Sequence, residues 1–126
     1  MIKLLVCGSR SLEDKQNYIE STLNKLIGHN HIDVLICGMA RGVDIISYHW
    51  AYGKGIKIAE YYADWKTHGK KAGFIRNQQM LDEGKPTHII AFQDCRHNIN
   101  GSNGTNHMIR ISKEKGIKVK IINITN

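Results

Sequence analysis

The hydrophobic positions of the chain follow two alternating patterns. Short continuous apolar runs predict five β-strands, at Ile2–Cys7, Ile32–Cys37, Ile56–Tyr61, Thr87–Phe92 and Ile117–Ile122. Between these runs the apolar residues recur at helical spacing. Strands that are apolar on both faces and alternate with helices are typical of a parallel sheet covered on both sides. We therefore expect residues 1–126 to form one doubly wound α/β domain, with about five parallel strands and helices on both faces.

Four helices are predicted between the strands. The first follows a capping box at Ser11–Asp14 and ends at Gly28, and its apolar stripe consists of Ile19, Leu23, Leu26 and Ile27. The second has its stripe at Val43, Ile46, Trp50 and Ala51. The other two are expected around Ala72–Glu83 and Thr105–Lys115, each ended by a glycine. Two polar segments remain, Ala63–Lys70 and Gln93–Asn103, the second of which we interpret as a mobile loop rather than a ligand-specific lid.

The net positive charge of the chain favours anionic binding partners. The chain has 18 Lys and Arg against 11 Asp and Glu, a net charge of +7. This excess alone does not distinguish nucleic acid from free nucleotides or phosphate. One basic cluster, Lys66–Arg76, contains no acidic residue. A second, between Arg110 and Lys120, is interpreted as a solvated face.

Cysteine and histidine patterns argue against a metal centre or disulfides. The three cysteines, Cys7, Cys37 and Cys95, show no Cys-x-x-Cys spacing, and the seven histidines form no metal-binding motif. No apolar run approaches the roughly 20 residues that span a bilayer. We expect no metal, no cofactor and no membrane partner, and a cytoplasmic location.

Candidate ligand-binding groups follow four of the strands. Ligands of open parallel sheets bind outside the carboxyl ends of the strands. The four features are Gly8-Ser9-Arg10, Gly38–Asp44, Trp65–Met80 and Asn103-Gly104-Thr105. Glycine turns that lead into helix N-termini can together bind a phosphate. The alternative is that these glycines serve packing alone, with Ser9 and Asp44 capping helices.

These motifs resemble those of the YspA-like branch of the SLOG superfamily. The residues that carry the resemblance are "CGSR", "CGMARGVD", "WKTHGKKAGFIRNQQM" and "THIIAF…GTNHMIRISKEKGIKV", in the family's order and over nearly the whole chain. The superfamily consists of Rossmann-like proteins related to the DNA-processing protein Smf/DprA and to the LOG cytokinin-activating phosphoribohydrolases. The resemblance implies a nucleotide or nucleotide-derivative site at the strand ends, and a homo-oligomer of two or more subunits.

The resemblance also implies particular site residues. Gly8, Ser9 and Arg10 match a Gly-Ser-Arg turn. Gly38, Gly42 and Asp44 match a second turn in which Met39 replaces a glycine and Arg41 lies between the glycines. Lys71, Gly73, Arg76, Asn77 and Met80 match a Lys-x-Gly-x-x-Arg-Asn-x-x-Met helix. Gly104 and Thr105 match a phosphate-binding Gly-Thr.

One departure from the pattern concerns activity. Phosphoribohydrolases of the family have a glutamate three residues after the threonine, where this chain has Met108. A carboxylate stabilises the oxocarbenium-like transition state of glycosidic cleavage, and methionine does not. Asp44 or Asp94 would have to replace it, so no catalytic residue is assigned and the enzymatic role stays open.

Three functions follow in order of preference. The first is binding or sensing of a nucleotide-derived signalling molecule without turnover. The second is a nucleoside 5′-monophosphate phosphoribohydrolase or another nucleotide-processing hydrolase. The third is single-stranded nucleic-acid binding. Individual side chains have alternative interpretations: Arg76 as a surface ion pair with Asp82 or Glu83, and Tyr62 and Trp65 as core or interface residues rather than base-stacking rings.

Overall fold

A computed structural model describes all 126 residues. The strands are β1 (Lys3–Gly8), β2 (Val34–Cys37), β3 (Ile58–Glu60), β4 (His88–Asp94) and β5 (Val119–Ile124). The α-helices are α1 (Gln16–Leu26), α2 (Val43–Gly53), α3 (Trp65–His68), α4 (Ala72–Gln79) and α5 (Asn103–Glu114). Short 3-10 segments at Arg10–Lys15 and Gly69–Lys71 precede α1 and α4, and a π-helical turn at Met80–Gly84 follows α4.

All five strands are parallel and lie in the order β3-β2-β1-β4-β5. The chain runs outward from β1 to β3, then returns to place β4 on the other side of β1. The strand order therefore reverses between β1 and β4, which is where ligands bind in doubly wound sheets. The predicted α/β architecture is confirmed.

The two faces of the sheet carry separate cores because successive strand residues point to opposite sides. Leu4 and Val6 of β1 face a cluster that includes residues of α1 and α2. Leu5 and Cys7 face a cluster formed with the π-helical turn and α5. Helices on both sides thus bury most of the central strands β1, β2 and β4, whereas the edge strands β3 and β5 stay partly exposed.

Several local predictions are wrong. Ser11 and Asp14 do not form a capping box, because their side chains bind Asp94 and Arg96 across the sheet edge. Leu26 is 41% exposed and does not belong to the buried stripe of α1. The segment Gln93–Asn103 is not all loop, since Gln93 and Asp94 extend β4 and Asn103 begins α5. Within Ala63–Lys70, residues 65–68 form the short helix α3.

None of the helices is long and apolar enough to cross a membrane.

Candidate ligand-binding site

A cavity of about 460 Å³ opens at the carboxyl ends of β1 and β4, and we call it the main cavity. Eleven of the fifteen residues predicted for the site line it: Gly8, Ser9, Arg10, Arg41, Asp44, Gly73, Arg76, Asn77, Met80, Gly104 and Thr105. Its volume lies within the usual range for small-molecule sites. The turns after β1, β2 and β4 and the helix α4 therefore converge on one space.

A second cavity of about 390 Å³, the side cavity, adjoins the first. It contains two more predicted residues, Gly38 and Met39. The two cavities share Arg10, Ala40, Arg41, Trp65 and Arg76 as lining residues. Only Gly42 and Lys71 among the predicted residues line neither of them.

The turn after β2 holds Asp44 and Arg76 close together. A Cβ atom at Gly38 would lie 2.9 Å from Oδ2 of Asp44 and 3.1 Å from Nε of Arg76, so only glycine fits between them. The Nη1 of Arg76 donates to the carbonyl of Gly38 at 2.7 Å. Arg76 forms no ion pair with Asp82 or Glu83, and Asp82 instead binds Lys115. The Gly38 carbonyl in this turn therefore holds the guanidinium of Arg76, a residue of α4, at the cavity.

Gly42 has a packing role in this turn. Its φ is +83°, and a Cβ atom there would lie 2.6 Å from the carbonyl oxygens of Ser9 and Arg10. Met39 also has a left-handed backbone, with φ of +59°, at the position where the resemblance implies a glycine. Gly42 thus lets the turns after β1 and β2 touch.

Asp44 is the only acidic residue that lines the main cavity. Its Oδ2 accepts from the backbone N–H of Ala40 at 3.2 Å and stabilises the turn. It lies in the first turn of α2, not at the N-cap, which is Gly42. Burial raises the pKa of Asp44 to about 6, against the opposing effects of Arg76, the Ala40 N–H and Arg10.

Two arginines face the cavity without acidic partners. The six ion pairs of the molecule involve neither Arg10 nor Arg76. Burial lowers the pKa of Arg76. The charge of Asp44 partly offsets this effect, and the charge of Arg10 lowers the pKa further. The guanidinium of Arg10 lies over the Trp65 ring, 5.2 Å from its centre. Their charges are thus available to an anion.

Hydroxyl groups connect the turn after β1 to the N-terminus of α5. Ser9 Oγ accepts from the backbone N–H of Asp94 at 2.9 Å and donates to Ser102 Oγ at 3.3 Å. Ser102 Oγ in turn donates to Thr105 Oγ1 at 2.8 Å. Neither Ser9 nor Ser102 caps a helix with its side chain. The N-terminal N–H groups of α5 therefore remain uncapped beside Gly104, a geometry that favours anions.

Asn77 links the two helices that form the opposite wall. Its Nδ2 donates to the Gly104 carbonyl at 3.3 Å and hydrogen-bonds His107 Nδ1 at 3.1 Å. The His107 ring stacks on Phe74, with ring centres 4.2 Å apart. Burial, followed by the nearby charge of Arg110, lowers the pKa of His107. Asn77 and His107 thus position α5 against α4.

Aromatic side chains stand at the cavity mouths. Trp65 and Phe74 are each about half exposed and line the main cavity, while the more exposed Tyr62 lines the side cavity. Trp50 is instead a core residue whose indole N–H donates to Asn24. Tyr62 and Trp65 are therefore surface rings at the site rather than core residues.

Sequence reasoning did not assign several lining residues. Lys70 lines the main cavity, whereas the predicted Lys71 is exposed outside it. Phe74 and Ser102 were also not assigned. Ser102 is the N-cap of α5, but the helix was predicted to begin only at Thr105, so the serine was not recognised as preceding it. The contact between Phe74 and His107 joins two helices and had no local signal.

Asp94 does not belong to the cavity. Its carboxylate binds the Arg96 guanidinium at 2.9 Å and accepts from Ser11 Oγ at 2.6 Å. These hydrogen bonds, that from Arg96 above all, hold the pKa of Asp94 well below its usual range. No group of three His, Cys, Asp or Glu side chains is arranged to hold a metal ion.

Comparisons with known proteins agree with this architecture. The profile of the YspA, cpYpsA-related SLOG family matches residues 2–68. Gene 61 protein of Mycobacterium phage D29 is 34% identical over 124 residues, which cover 94% of each chain. The fold is similar to the X-ray structure of DNA processing protein A (DprA) from Streptococcus pneumoniae, with a TM-score of 0.71 and 16% identity. The match covers 96% of this chain and 50% of the DprA chain, so this chain spans about half the length of that protein.

Proposed function

Because the chain belongs to the YspA, cpYpsA-related SLOG family, we propose that it binds a nucleotide or a nucleotide-derived signalling molecule in the main cavity. Binding without turnover of the phosphoribohydrolase type is the form of this function that we favour. The phosphate lies against Arg76, Arg10 and the N-terminus of α5. The aromatic rings at the cavity mouth contact the base.

One observation carries the proposal: two guanidinium groups face the same cavity and neither has an acidic partner within ion-pair distance. A partly buried guanidinium without an ion-pair partner is unfavourable, the nearby Asp44 offsets only part of that cost for Arg76, and an anionic ligand relieves the rest. Guanidinium groups bind phosphate through paired hydrogen bonds. The uncapped α5 N-terminus adds partial positive charge at the same cavity.

The residue at position 108 supports binding without turnover of the phosphoribohydrolase type. Met108 lines the cavity where the related phosphoribohydrolases have a glutamate, and it is only 1% exposed. Its side chain is part of the core formed with β1 and β4. A thioether cannot stabilise an oxocarbenium-like ribose, so this position supports binding rather than glycosidic cleavage.

Filling the cavity without disturbing the fold tests the proposal. Gly104 lines the main cavity and has no atom within 4 Å of the position of a Cβ, so Gly104→Leu adds a side chain at the cavity where its first carbon has room. Gly53→Leu is the matched control, since Gly53 is equally open but lies at the far end of α2. Thermal shift is measured with adenine, guanine, cytosine and uracil nucleotides.

We expect a ligand-induced shift for the wild type and for Gly53→Leu, and none for Gly104→Leu. Mass spectrometry of small molecules released by heat from the purified protein identifies the natural ligand. If the folded wild-type protein shows no shift with any nucleotide and releases none, the proposal is wrong.

Asp44 supports a second candidate function, nucleotide hydrolysis. It is the one carboxyl group that lines the main cavity, and its pKa of about 6 lies near the operating pH of a general acid or base. Under this alternative, release of free base from a nucleotide is abolished in Asp44→Asn and retained in Lys113→Ala. Complete inertness of the wild type toward the nucleotide panel rejects it.

Single-stranded nucleic-acid binding is a third candidate. Trp65 and Tyr62 are exposed near the basic residues Lys66 and Lys70, a combination that can stack bases and contact phosphates. The structurally similar protein is named for DNA processing. Binding of an oligonucleotide that weakens steeply with added salt is the expected signature. Absence of a gel shift at low salt removes this candidate.

We also propose a homo-oligomer in the cytoplasm. The oligomer follows from the resemblance to SLOG proteins, and light scattering on the purified protein measures it. The location agrees with the three free cysteines, two of them buried.

A further inference from the structure

We propose that the ligand is a dinucleoside pyrophosphate, with one nucleoside in the main cavity, the other in the side cavity, and the pyrophosphate between them on Arg10 and Arg76. This inference rests on the proposed function and narrows its ligand class. The observations behind it are the volumes of the two cavities, the residues that line both of them, their aromatic side chains and their charged lining residues.

The available space exceeds what a mononucleotide occupies. The main cavity of about 460 Å³ has the size of an ordinary small-molecule site. The adjoining side cavity, of about 390 Å³, is nearly as large. A mononucleotide in the main cavity leaves the side cavity without a ligand group, whereas a molecule with two nucleoside halves occupies both.

The residues shared by the cavities determine what lies between the two halves. Arg10 and Arg76 line both cavities, and neither forms an ion pair. Arg76 is held in place by its hydrogen bond to Gly38, and Arg10 by its contact with Trp65. The group that links the two halves therefore passes between two positioned guanidiniums, which favours a phosphate linkage.

Each cavity has its own aromatic ring besides the shared Trp65. Phe74 lines only the main cavity and is held by stacking on His107. Tyr62 lines only the side cavity, and its hydroxyl donates to Glu60. Flat aromatic surfaces at both ends are suited to a ligand with a ring system at each end.

The charge of the lining selects pyrophosphate over a single phosphodiester. Four cations, Arg10, Arg41, Lys70 and Arg76, line the cavities together with one acid, Asp44. Arg41 is already offset by Glu13 at 3.6 Å. Arg10 and Arg76, the two cations that line both cavities and form no ion pair, equal in number the two negative charges of a pyrophosphate diester. A dinucleotide of single-stranded nucleic acid carries only one between its nucleosides.

Calorimetric titration with matched ligands tests this inference. The probes are dinucleoside pyrophosphates of adenine, guanine, cytosine and uracil, the corresponding mononucleotides, and phosphodiester-linked dinucleotides. The variant is Tyr62→Ala, whose side chain is 65% exposed, and the matched control is Tyr52→Ala, which is 72% exposed and lines neither cavity.

We expect one dinucleoside pyrophosphate to bind at least about tenfold more tightly than its mononucleotide half. Tyr62→Ala removes most of that advantage without changing mononucleotide affinity, and Tyr52→Ala changes neither. Equal affinity for the mononucleotide, or no effect of Tyr62→Ala, overturns the inference while the proposed function stands. Tighter binding of the phosphodiester overturns it in favour of nucleic acid. If nothing binds, the proposed function itself fails.

Discussion

Arg76 and Arg96 lie at the same edge of the sheet and have opposite environments. The Arg96 side chain donates five hydrogen bonds, to the carboxylates of Asp94 and Asp14 and to the Ser11 carbonyl. The Arg76 side chain donates two, to the Gly38 carbonyl and to Asn77. The acidic partners of Arg96 raise its pKa, whereas burial lowers that of Arg76.

This difference separates a structural arginine, Arg96, from Arg76, the arginine that we propose binds the ligand. Arg96 joins the end of β4 to the segment before α1, and its charge is already neutralised by two carboxylates. Arg76 is held in position by neutral groups, so its charge remains available. At one sheet edge, the number of acidic partners therefore indicates which cation a ligand can use.

The largest expected effect is on ligand binding by Arg76→Gln. Glutamine is polar but removes the charge, so the affinity for the nucleotide ligand falls at least about thirty-fold. Stability falls less than in Arg96→Gln, because the Arg76 guanidinium has no ion pair to lose and only its longer-range attraction to the buried Asp44 disappears. Isothermal titration and thermal unfolding measure the two quantities. The comparison with Arg96 fails if this variant unfolds readily yet binds normally when folded.

Arg96→Gln is expected to show the reverse pattern. The substitution leaves the Asp94 carboxylate, whose side chain is 7% exposed, without its cation, and the thermal midpoint falls by several degrees. Ligand affinity of the folded variant stays within about threefold of the wild type. A stable variant that has lost ligand binding would place Arg96 in the site instead.

The pH dependence of unfolding also tests the structural role of Arg96. The folded-state pKa of Asp94 is depressed, so its contribution to stability is complete above its unfolded pKa of about 3.9. That contribution is lost as the pH falls through the depressed value. We expect the stability difference between wild type and Arg96→Gln to shrink between about pH 4 and pH 2. A difference that is independent of pH contradicts the assigned ion pair.

Asp44→Asn is expected to have a smaller effect, and a stabilising one. The folded-state pKa of Asp44 is raised, so its favourable contribution is complete below about pH 3.9 and is lost as the pH rises through about 6. Removing the charge therefore stabilises the protein at pH 7.5, by about 1 kcal/mol once the desolvation of the new amide is subtracted. No gain is expected at pH 4. Denaturant unfolding at both pH values checks this sign.

Arg41→Ala is expected to have the smallest effect. Arg41 and its partner Glu13 are 69% and 59% exposed, and their 3.6 Å ion pair is a surface pair. The free energy of unfolding should change by less than about 0.5 kcal/mol. The affinity for the ligand should fall by less than about threefold. A loss as large as that of Arg76→Gln would show that exposed arginines also determine binding.

The sequence pattern was sufficient for the framework of the molecule and for much of the cavity lining. Apolar runs located all five strands. Burial on both faces accounts for the strong local pattern of the central strands β1, β2 and β4, whereas β3 and β5 have apolar runs but are only partly buried. The predicted ends of the strands were less accurate than their existence. For example, β5 was expected at Ile117–Ile122 and lies at Val119–Ile124. Strand ends depend on register with neighbouring strands, which a local pattern does not contain.

Long-range contacts account for the remaining errors. Ser11 and Asp14 have the spacing of a capping box, but Asp94 and Arg96, more than 80 positions away, bind them instead. Lys70 rather than Lys71 lines the cavity because a 3-10 segment precedes α4 and changes which side chain faces inward. The helix α3 has only four residues, too few for a periodic signal.

The contact between Asn77 and His107 has a spectroscopic consequence. Because the Asn77 amide nitrogen can only donate, His107 Nδ1 must accept, and the imidazole proton resides on Nε2. The lowered pKa keeps the ring neutral at physiological pH. The ¹⁵N chemical shifts of this imidazole should therefore report a single tautomer. Any rearrangement at the N-terminus of α5 when a ligand enters should be visible as a change in those two resonances.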